Sequence, residues 1–546
     1  MAPILLPLIL CGCTGHRTDV DRDPFSKQVP RRHHLVELDE EWLYVLDPDS
    51  GLDIINVFNS ASPTFFERVA GTDGEVIEMF LDHYRMYVMY DSSRAECVEL
   101  PDLDPSWTHH TWTEFAIIAH VPDEPLLASR FCLPGQYMES AKQGDFLYVL
   151  TQFGDESLLL SIDVSDPFAP VIVDVEHEVR GSLGAQLHLA RDALFVAVDA
   201  GGMALIRYFD VSDDDGAVVR RGEIEVSKNY LSPVFMDHHM GHLSVVVDKG
   251  GGSSLHLVDV RDPDHLVIAG SREFIASGEM LWDAVFEDDI VFITTYSQYP
   301  GDHLDNLWII SREDATYPSH LSNITIPSWS HGFTLVGSQL IAIGRGEHAG
   351  SAAVSLYNVV DLEDPEWVDT ELFGHAAGPT GWYLDVRGVG VMQRGELADL
   401  PLIVVPYTRF LWDGYECIPE RHFQLLDARW TSLHVRGDWT PLERHGRTEE
   451  VVQVGNKVYA ISDVSVTTLG MMDRDAPQEH VMLTLGGDAA DGCGQVRHNL
   501  LDVRDEVVSF FDLGCSVAGP GRASSGSRLL LAALLAVMAW LRRRRR

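Results

Sequence analysis

The densest cluster of ligand-type side chains is the stretch MDHHMGH, which holds Asp237, His238, His239 and His242. Three imidazoles and a carboxylate are the donor set of a divalent transition-metal site. The flanking YLSPVF and LSVVVD are strand-like, which makes the cluster the tip of a hairpin. Neighbouring side chains on extended backbone point to opposite faces, so His238 and His239 are poor joint ligands. The expectation is an exposed polar turn and no bound metal. His33-His34 and His109-His110 are weaker pairs of the same kind. DPDSGLD (47–53) and DVSDDDG (210–216) have the composition of calcium loops. Neither fits the EF-hand: Gly51 falls one place early, and Phe58 stands where the closing Glu belongs. No cofactor is therefore expected, an isolated structural calcium ion being the alternative. GRGEHAG (344–350) offers glycines after a strand, but a second strand follows where a phosphate cradle needs a helix. No GxSxG, HExxH or Walker sequence occurs, and no catalytic or cofactor-binding residue is assigned.

Charge and cysteines narrow the setting. Against 83 Asp and Glu stand 40 Lys and Arg, a net charge of −43. Without the seven arginines beyond Cys515 it becomes −50. Such a surface repels phosphate backbones and anionic lipid, so nucleic acid is excluded as a partner. Of the seven cysteines, Cys11 and Cys13 lie near the N-terminus and Cys515 near the C-terminus. Cys97, Cys132, Cys417 and Cys493 remain, enough for two disulfides in an exported protein. Chain-order pairing, Cys97 with Cys132 and Cys417 with Cys493, is the simplest of three connectivities. No CxxC spacing suggests thiolate zinc.

Both ends read as addresses. The apolar run from Pro3 leads into Leu10-Cys11-Gly12-Cys13 and resembles a bacterial lipoprotein signal, although no Lys or Arg precedes it. The resemblance implies a signal over 1–13 with lipid on Cys13, followed by a flexible linker over 14–33. At the other end, GCSVAGPGRASSGS precedes an apolar run, 529–541, closed by Arg542 to Arg546. That run would be about 20 Å long as a helix, short for a hydrocarbon core of about 30 Å. The order Cys, flexible linker, short apolar helix and arginine cluster over 515–546 resembles a myxobacterial-type C-terminal sorting tail. The resemblance implies processing near Cys515 and display at the cell surface, the arginines staying cytoplasmic. A weak permanent tail anchor is the alternative.

Between these ends the chain repeats. LDIINVFNSASPTFFERV (52–69), LLLSIDVSDPFAPVIVDV (158–175), LHLVDVRDPDHLVIAGS (255–271) and VSLYNVVDLEDPEWVDTEL (354–372) are four of eight strand–turn–strand copies. The residue after the first strand is Asn56, Asp163, Asp210, Asp259, Ser311 or Asn358, the last five spaced 47, 49, 52 and 47 apart. A side-chain oxygen there accepts hydrogen bonds from the turn's own N–H groups, so these residues are read as turn caps and not as acid–base catalysts. Upstream hairpins such as RDALFVAVD (191–199) and EDDIVFITT (287–295) complete four strands per repeat. A period near 48 is that of one propeller blade. The expected fold is all-β: a single β-propeller of seven or eight four-stranded antiparallel blades over 34–500, its last strands available to pair with the first blade.

The order of SGEMLWDAVFEDDIVFITTYSQ, LWIISREDATYPSHLSNITIP, GFTLVGSQLIAIGRGEHAG and LPLIVVPYT resembles bacterial and archaeal secreted proteins with a C-terminal β-propeller domain built from LVIVD-like repeats. The likeness runs over about 140–470 and implies a fold and an extracytoplasmic location, without an activity. The leading functional reading is a surface-displayed, monomeric propeller that binds an unidentified surface protein or polymer. Membrane contact is expected only through a terminal lipid or the tail. The insertion over 372–422, with WYLDVRGVGVMQRG and FLWDGYECIPE, is a candidate recognition feature, its plainer alternative being an extra blade. The rivals are an exported enzyme with its site at the central channel, and a structural envelope component.

Overall fold

In a computed structural model of the protein the chain divides into two compact units, 1–492 and 493–546. Residues 36–485 of the first unit are described, apart from 93–111, 374–382, 393–400 and shorter stretches of at most seven residues. Cys13, Cys97, Cys493, Cys515, the N-terminal segment and the C-terminal tail lie outside the described residues. Cys132 is disulfide-bonded, and no other cysteine side chain is described.

Among the described residues thirty-seven strands, from β1 (Val36–Asp39) to β37 (Gln478–Thr484), form nine antiparallel sheets whose strand order follows the chain. They are numbered here as blades I (36–70), II (75–134), III (136–180), IV (182–228), V (231–274), VI (279–326), VII (329–373), VIII (383–439) and IX (448–484). The position of a strand in its blade follows from its pattern. Second strands such as β14 (Ala193–Asp199), ALFVAVD, and β35 (Lys457–Ser462), KVYAIS, are apolar runs buried almost throughout. Such runs belong inside a sheet covered on both faces. Fourth strands such as β16 (Val219–Lys228) alternate exposed and covered residues and lie outermost.

Nine blades replace the expected seven or eight. The ninth is hidden in the sequence because Gly470 stands where most other copies carry Asp, Asn or Ser. The final strands make a blade of their own and do not complete blade I, which is built from β1 and its own next three strands. Nor is 372–422 an extra blade. It supplies the inner part of blade VIII, where the first strand is broken into β29 (Tyr383–Val386) and β30 (Gly390–Met392). Both pair with β31 (Leu402–Trp412), which makes this sheet five-stranded.

Every blade carries a register shift between its third and fourth strands, from Ile54/Ile55 in blade I to Thr468/Leu469 in blade IX. A bulge at a fixed place adds the same local twist to each sheet. The caps behave as the sequence implies. Asn56, Asp163, Asp210, Asp259, Ser311 and Asn358 each accept the N–H two residues on, at 2.8 to 3.3 Å.

Blades pack through one apolar cluster per interface, and the clusters run around the ring without a gap. The closing cluster sets Leu43, Val45 and Val57 of blade I against Tyr459, Ile461 and Val466 of blade IX. Tyr459 also donates its hydroxyl to the Ser60 carbonyl, 3.1 Å away. The ring therefore closes by side-chain packing, without strand exchange. One pairing recurs: an aromatic at the third place of a second strand packs with the valine that follows the next blade's third strand. Tyr44 with Val121, Tyr148 with Val211, Phe195 with Val260 and Tyr459 with Val57 share clusters in this way.

Strand alternation gives the ring two faces. First–second hairpins and third–fourth turns lie on one, the hairpin face. Second–third loops and blade-to-blade links lie on the other, the connection face, where β1 begins and β37 ends.

Candidate functional site

The histidine cluster sits on the hairpin face of blade V, between β17 (Leu231–His239) and β18 (His242–Asp248). Met240 and Gly241, with φ of 49° and 79°, form a two-residue turn whose central residues are both left-handed. Alternation then separates the candidate ligands. His238 faces blade IV, where its ring stacks on Phe195 at 6.1 Å and its backbone N–H donates to His188 Nε2 at 3.1 Å. Asp237 and His239 face blade VI. Asp237 pairs with Arg312 at 2.7 Å, and His239 Nε2 lies 3.3 Å from Asp289 Oδ1. His242 stands opposite His239 in the register. Among the described residues no group of three or more His, Cys, Asp or Glu side chains is arranged to hold a metal ion. Burial holds the His188 and His238 imidazoles below the usual histidine range, which fits His188 accepting through Nε2 as a neutral ring.

Arg312 is the residue that the sequence did not flag. Its backbone N–H donates to the Asp289 carbonyl just as Val164, Val211, Val260 and Val359 donate to their own first hairpins, so it occupies the valine place of blade VI. It is only 6% exposed. Across the interface the aromatic place is taken by Ser244, the third residue of β18. The guanidinium fills the space left by the missing ring. It donates to Ser244 Oγ at 2.7 Å and to the Asp288 carbonyl at 2.6 Å, and lies over the Phe286 ring at 5.4 Å. One apolar pair of the repeat has thus become a charged pair, the buried Arg312 with the half-buried Asp237, braced by a serine. No signal in a single strand reveals it, because valine to arginine in blade VI makes sense only beside aromatic to serine in blade V.

Described aspartates of the other polar motifs have partners within the fold. Asp53, from the calcium-like DPDSGLD, is fully buried and takes two hydrogen bonds from Arg68, at 2.5 and 2.6 Å. In DVSDDDG, Asp210 caps Ser212 and pairs with Arg221, while Asp215 caps Ala217. Gly344 of GRGEHAG lies within β26 (Gln339–Arg345), residues 346–350 lie outside the described residues, and the next element is a strand, β27 (Ala352–Asn358).

A cleft of about 880 Å³ opens on the hairpin face between blades II and III, with Phe80, Leu81, Tyr84, Arg85, Lys142 and Asp145 on its walls. Its cations are engaged. Lys142 pairs with Asp82 and lies 5.7 Å over the Tyr87 ring. Arg85 donates to the carbonyls of Val164 and Ser165 at 2.6 and 2.9 Å. The connection face has the longer joints: β6 (Arg85–Ser92) and β7 (Trp112–Ala119) are 19 residues apart. There too, β31 and β32 (Cys417–Arg429) pair along their whole shared length, from Leu402 with Asp427 to Trp412 with Cys417.

Comparison with known proteins agrees with the ring of blades. Residues 201–468 match the family described as Beta propeller domain, and residues 34–71 match the LVIVD repeat. The chain is a β-propeller protein. An uncharacterized protein of Methanocaldococcus jannaschii is 28% identical to this propeller over 160 residues, 28% of this chain and 24% of the relative. The chain thus matches about a quarter of that relative's length. Among solved structures, Saccharomyces cerevisiae Sqt1 aligns with a TM-score of 0.40 at 10% identity, covering 73% of this chain and 98% of its own. A periplasmic gluconolactonase of Pseudomonas aeruginosa aligns at 0.35 and 12% identity, over 63% and 96%. A hypothetical selenium-binding protein of Sulfolobus tokodaii aligns at 0.36 and 15%, over 70% and 91%. No activity is carried over from any of them. Among the described residues no helix is long and apolar enough to cross a membrane.

Proposed function

We propose that this propeller is an exported, monomeric binding scaffold that presents its connection face to a surface protein or polymer. The observation that supports this reading is the asymmetry of the ring. First–second hairpins are mostly two-residue turns, whereas the connection face receives the 93–111 segment and the paired extension of β31 and β32. Long connections on one side of a rigid ring are where propellers carry recognition. The address-like ends support export, with lipid at Cys13 and processing at Cys515 as the proposed route to the surface.

Two measurements test the reading. Intact mass of protein recovered from its native cell surface should lack everything after Cys515 and carry a lipid-sized addition. A mass that retains the five terminal arginines would remove the sorting route. For binding, the purified propeller is applied to arrays of polysaccharides and of peptides. Trimming 411–418 to a short turn should abolish retention without lowering the melting temperature. Retention unchanged by that trim and by deletion of 95–109 would move recognition off this face.

A further inference from the structure

The exposed apolar side chains of the ring are not spread evenly. Among the described residues, every apolar side chain more than half exposed lies in a turn of the hairpin face or within the first two residues of a fourth strand beside it. The most exposed are Met240 at 79%, Phe58 at 74%, Tyr317, Val360 and Tyr84 each at 68%, and Trp430 at 65%. Six different blades supply these six residues. At the place of Phe58 and Val360, directly after the buried valine, other blades carry a polar side chain, as Ser165 and Ser212 show, so the turn does not require an apolar one there. The same face opens into the blade II–III cleft, where Tyr84 stands at the wall.

The charges between these side chains indicate what covers them. Exposed acids crowd turns of the same face: Asp213, Asp214 and Asp215 in blade IV, and Asp361, Glu363 and Asp364 in blade VII. Arg221 and Arg261 are neutralised locally by Asp264 and Asp259. Arg191 adds one further exposed cation. A phospholipid surface or a nucleic acid meets repulsion here, whereas a basic chain with apolar side chains meets complementary charge and an apolar anchor in most blades. We propose that the hairpin face is a docking surface for a cationic, amphipathic polypeptide segment. It is a second surface, separate from the connection face.

The test uses an amphipathic lysine/leucine peptide as probe, with oligolysine of equal charge and phosphatidylglycerol vesicles as comparators. Calorimetry reports binding in the full chain. The expected result is saturable binding of the amphipathic peptide and much weaker binding of oligolysine. Binding should weaken at least about tenfold in the triple variant Phe58→Ser/Tyr317→Ser/Trp430→Ser, read by calorimetry, with an unchanged melting curve. Should that variant fail to fold, Phe58→Ser and Tyr317→Ser are measured singly against Leu372→Ser, an exposed apolar residue at the connection-face end of β28 (Glu366–Phe373), and the turn variants should weaken binding more. Equal affinity of oligolysine, equal affinity of the variants, or preference for the vesicles would overturn the proposal. Trimming 411–418 should leave this binding intact, so failure here and failure of the connection-face reading are told apart.

Discussion

At the residue scale the chemistry of greatest consequence is a substitution inside the repeat. Arg312 replaces a valine that other blades bury, and it is tolerable only because Ser244 replaces the aromatic that other blades pack against it. Arg312→Val should therefore cost about 1–3 kcal/mol, because the buried Ser244 and the half-buried Asp237 carboxylate lose their partner. Ser244→Phe alone should also destabilise, through collision with the guanidinium. The double variant restores the pairing of the other blades and should recover at least half of the loss, as read from denaturant midpoints in a double-mutant cycle. Independent effects that simply add would show that the two positions are not coupled. Gly270 is a second exacting residue. A Cβ there would lie 2.4 Å from the Ala315 carbonyl oxygen of the next blade, and at Gly222 2.5 Å from that of Pro263. Gly270→Ala should lower stability by about 1–3 kcal/mol by forcing blades V and VI apart, which thermal unfolding would register.

At the scale of elements, blade V and its neighbours form the acid-sensitive sector. His256 on β19 (Ser253–Asp259) lies between Ser254 and Ser271, with ring nitrogens 2.8 and 3.2 Å from their hydroxyls. Burial, with the Lys249 charge adding to it, lowers its pKa from 6.5 to about 4. The unfolded chain then binds the proton more readily than the fold does. Stability is full above pH 6.5 and falls as pH drops from there toward 4, by an order of about 3 kcal/mol for this group. His188 and His238 act in the same direction. Asp259 acts in the same direction over a lower window: its bond from Arg261 holds it at about 2, so its contribution persists until pH falls below the ordinary carboxylate range. Unfolding midpoints taken across pH 7 to 4 should slope downward, and His256→Asn should flatten that slope. An unchanged slope would place the titration elsewhere.

At the scale of the whole ring, closure by packing alone has a mechanical consequence. Each blade is made of consecutive strands, and no strand crosses from one blade to another. Both ends of the described ring lie on the connection face in adjacent blades, I and IX. A circular permutant joined there and reopened at 275–278, between blades V and VI, should fold with a melting temperature within a few degrees of the parent. A propeller that depended on strand exchange at its seam would not survive the cut. Conversely, Tyr459→Ala removes the ring that packs on Val57 and bonds Ser60, and should cost about 3–5 kcal/mol, read as a shift in the denaturant midpoint.

What the sequence determined by itself is local. Apolar runs buried on both faces made the second and third strands legible. Asn56, Asp163, Asp210, Asp259, Ser311 and Asn358 announced their turns, because an Asx or Ser cap bonds within its own few residues and needs no partner from afar. The all-β propeller class followed from the spacing of those turns. The number of blades did not. Gly470 broke the cap pattern, and whether the last strands form a blade or complete the first is decided by which surface buries Tyr459. The histidine hairpin was legible as a hairpin, but the destinations of its side chains were not. Asp237 finds Arg312 75 positions away along the chain, and His238 finds His188 in the preceding blade. Those partners, the Arg312 and Ser244 exchange, and the gathering of exposed aromatics on one face exist only once nine sheets stand side by side. They depend on contacts between blades, and the turn-and-strand pattern within one repeat carries no information about its neighbour.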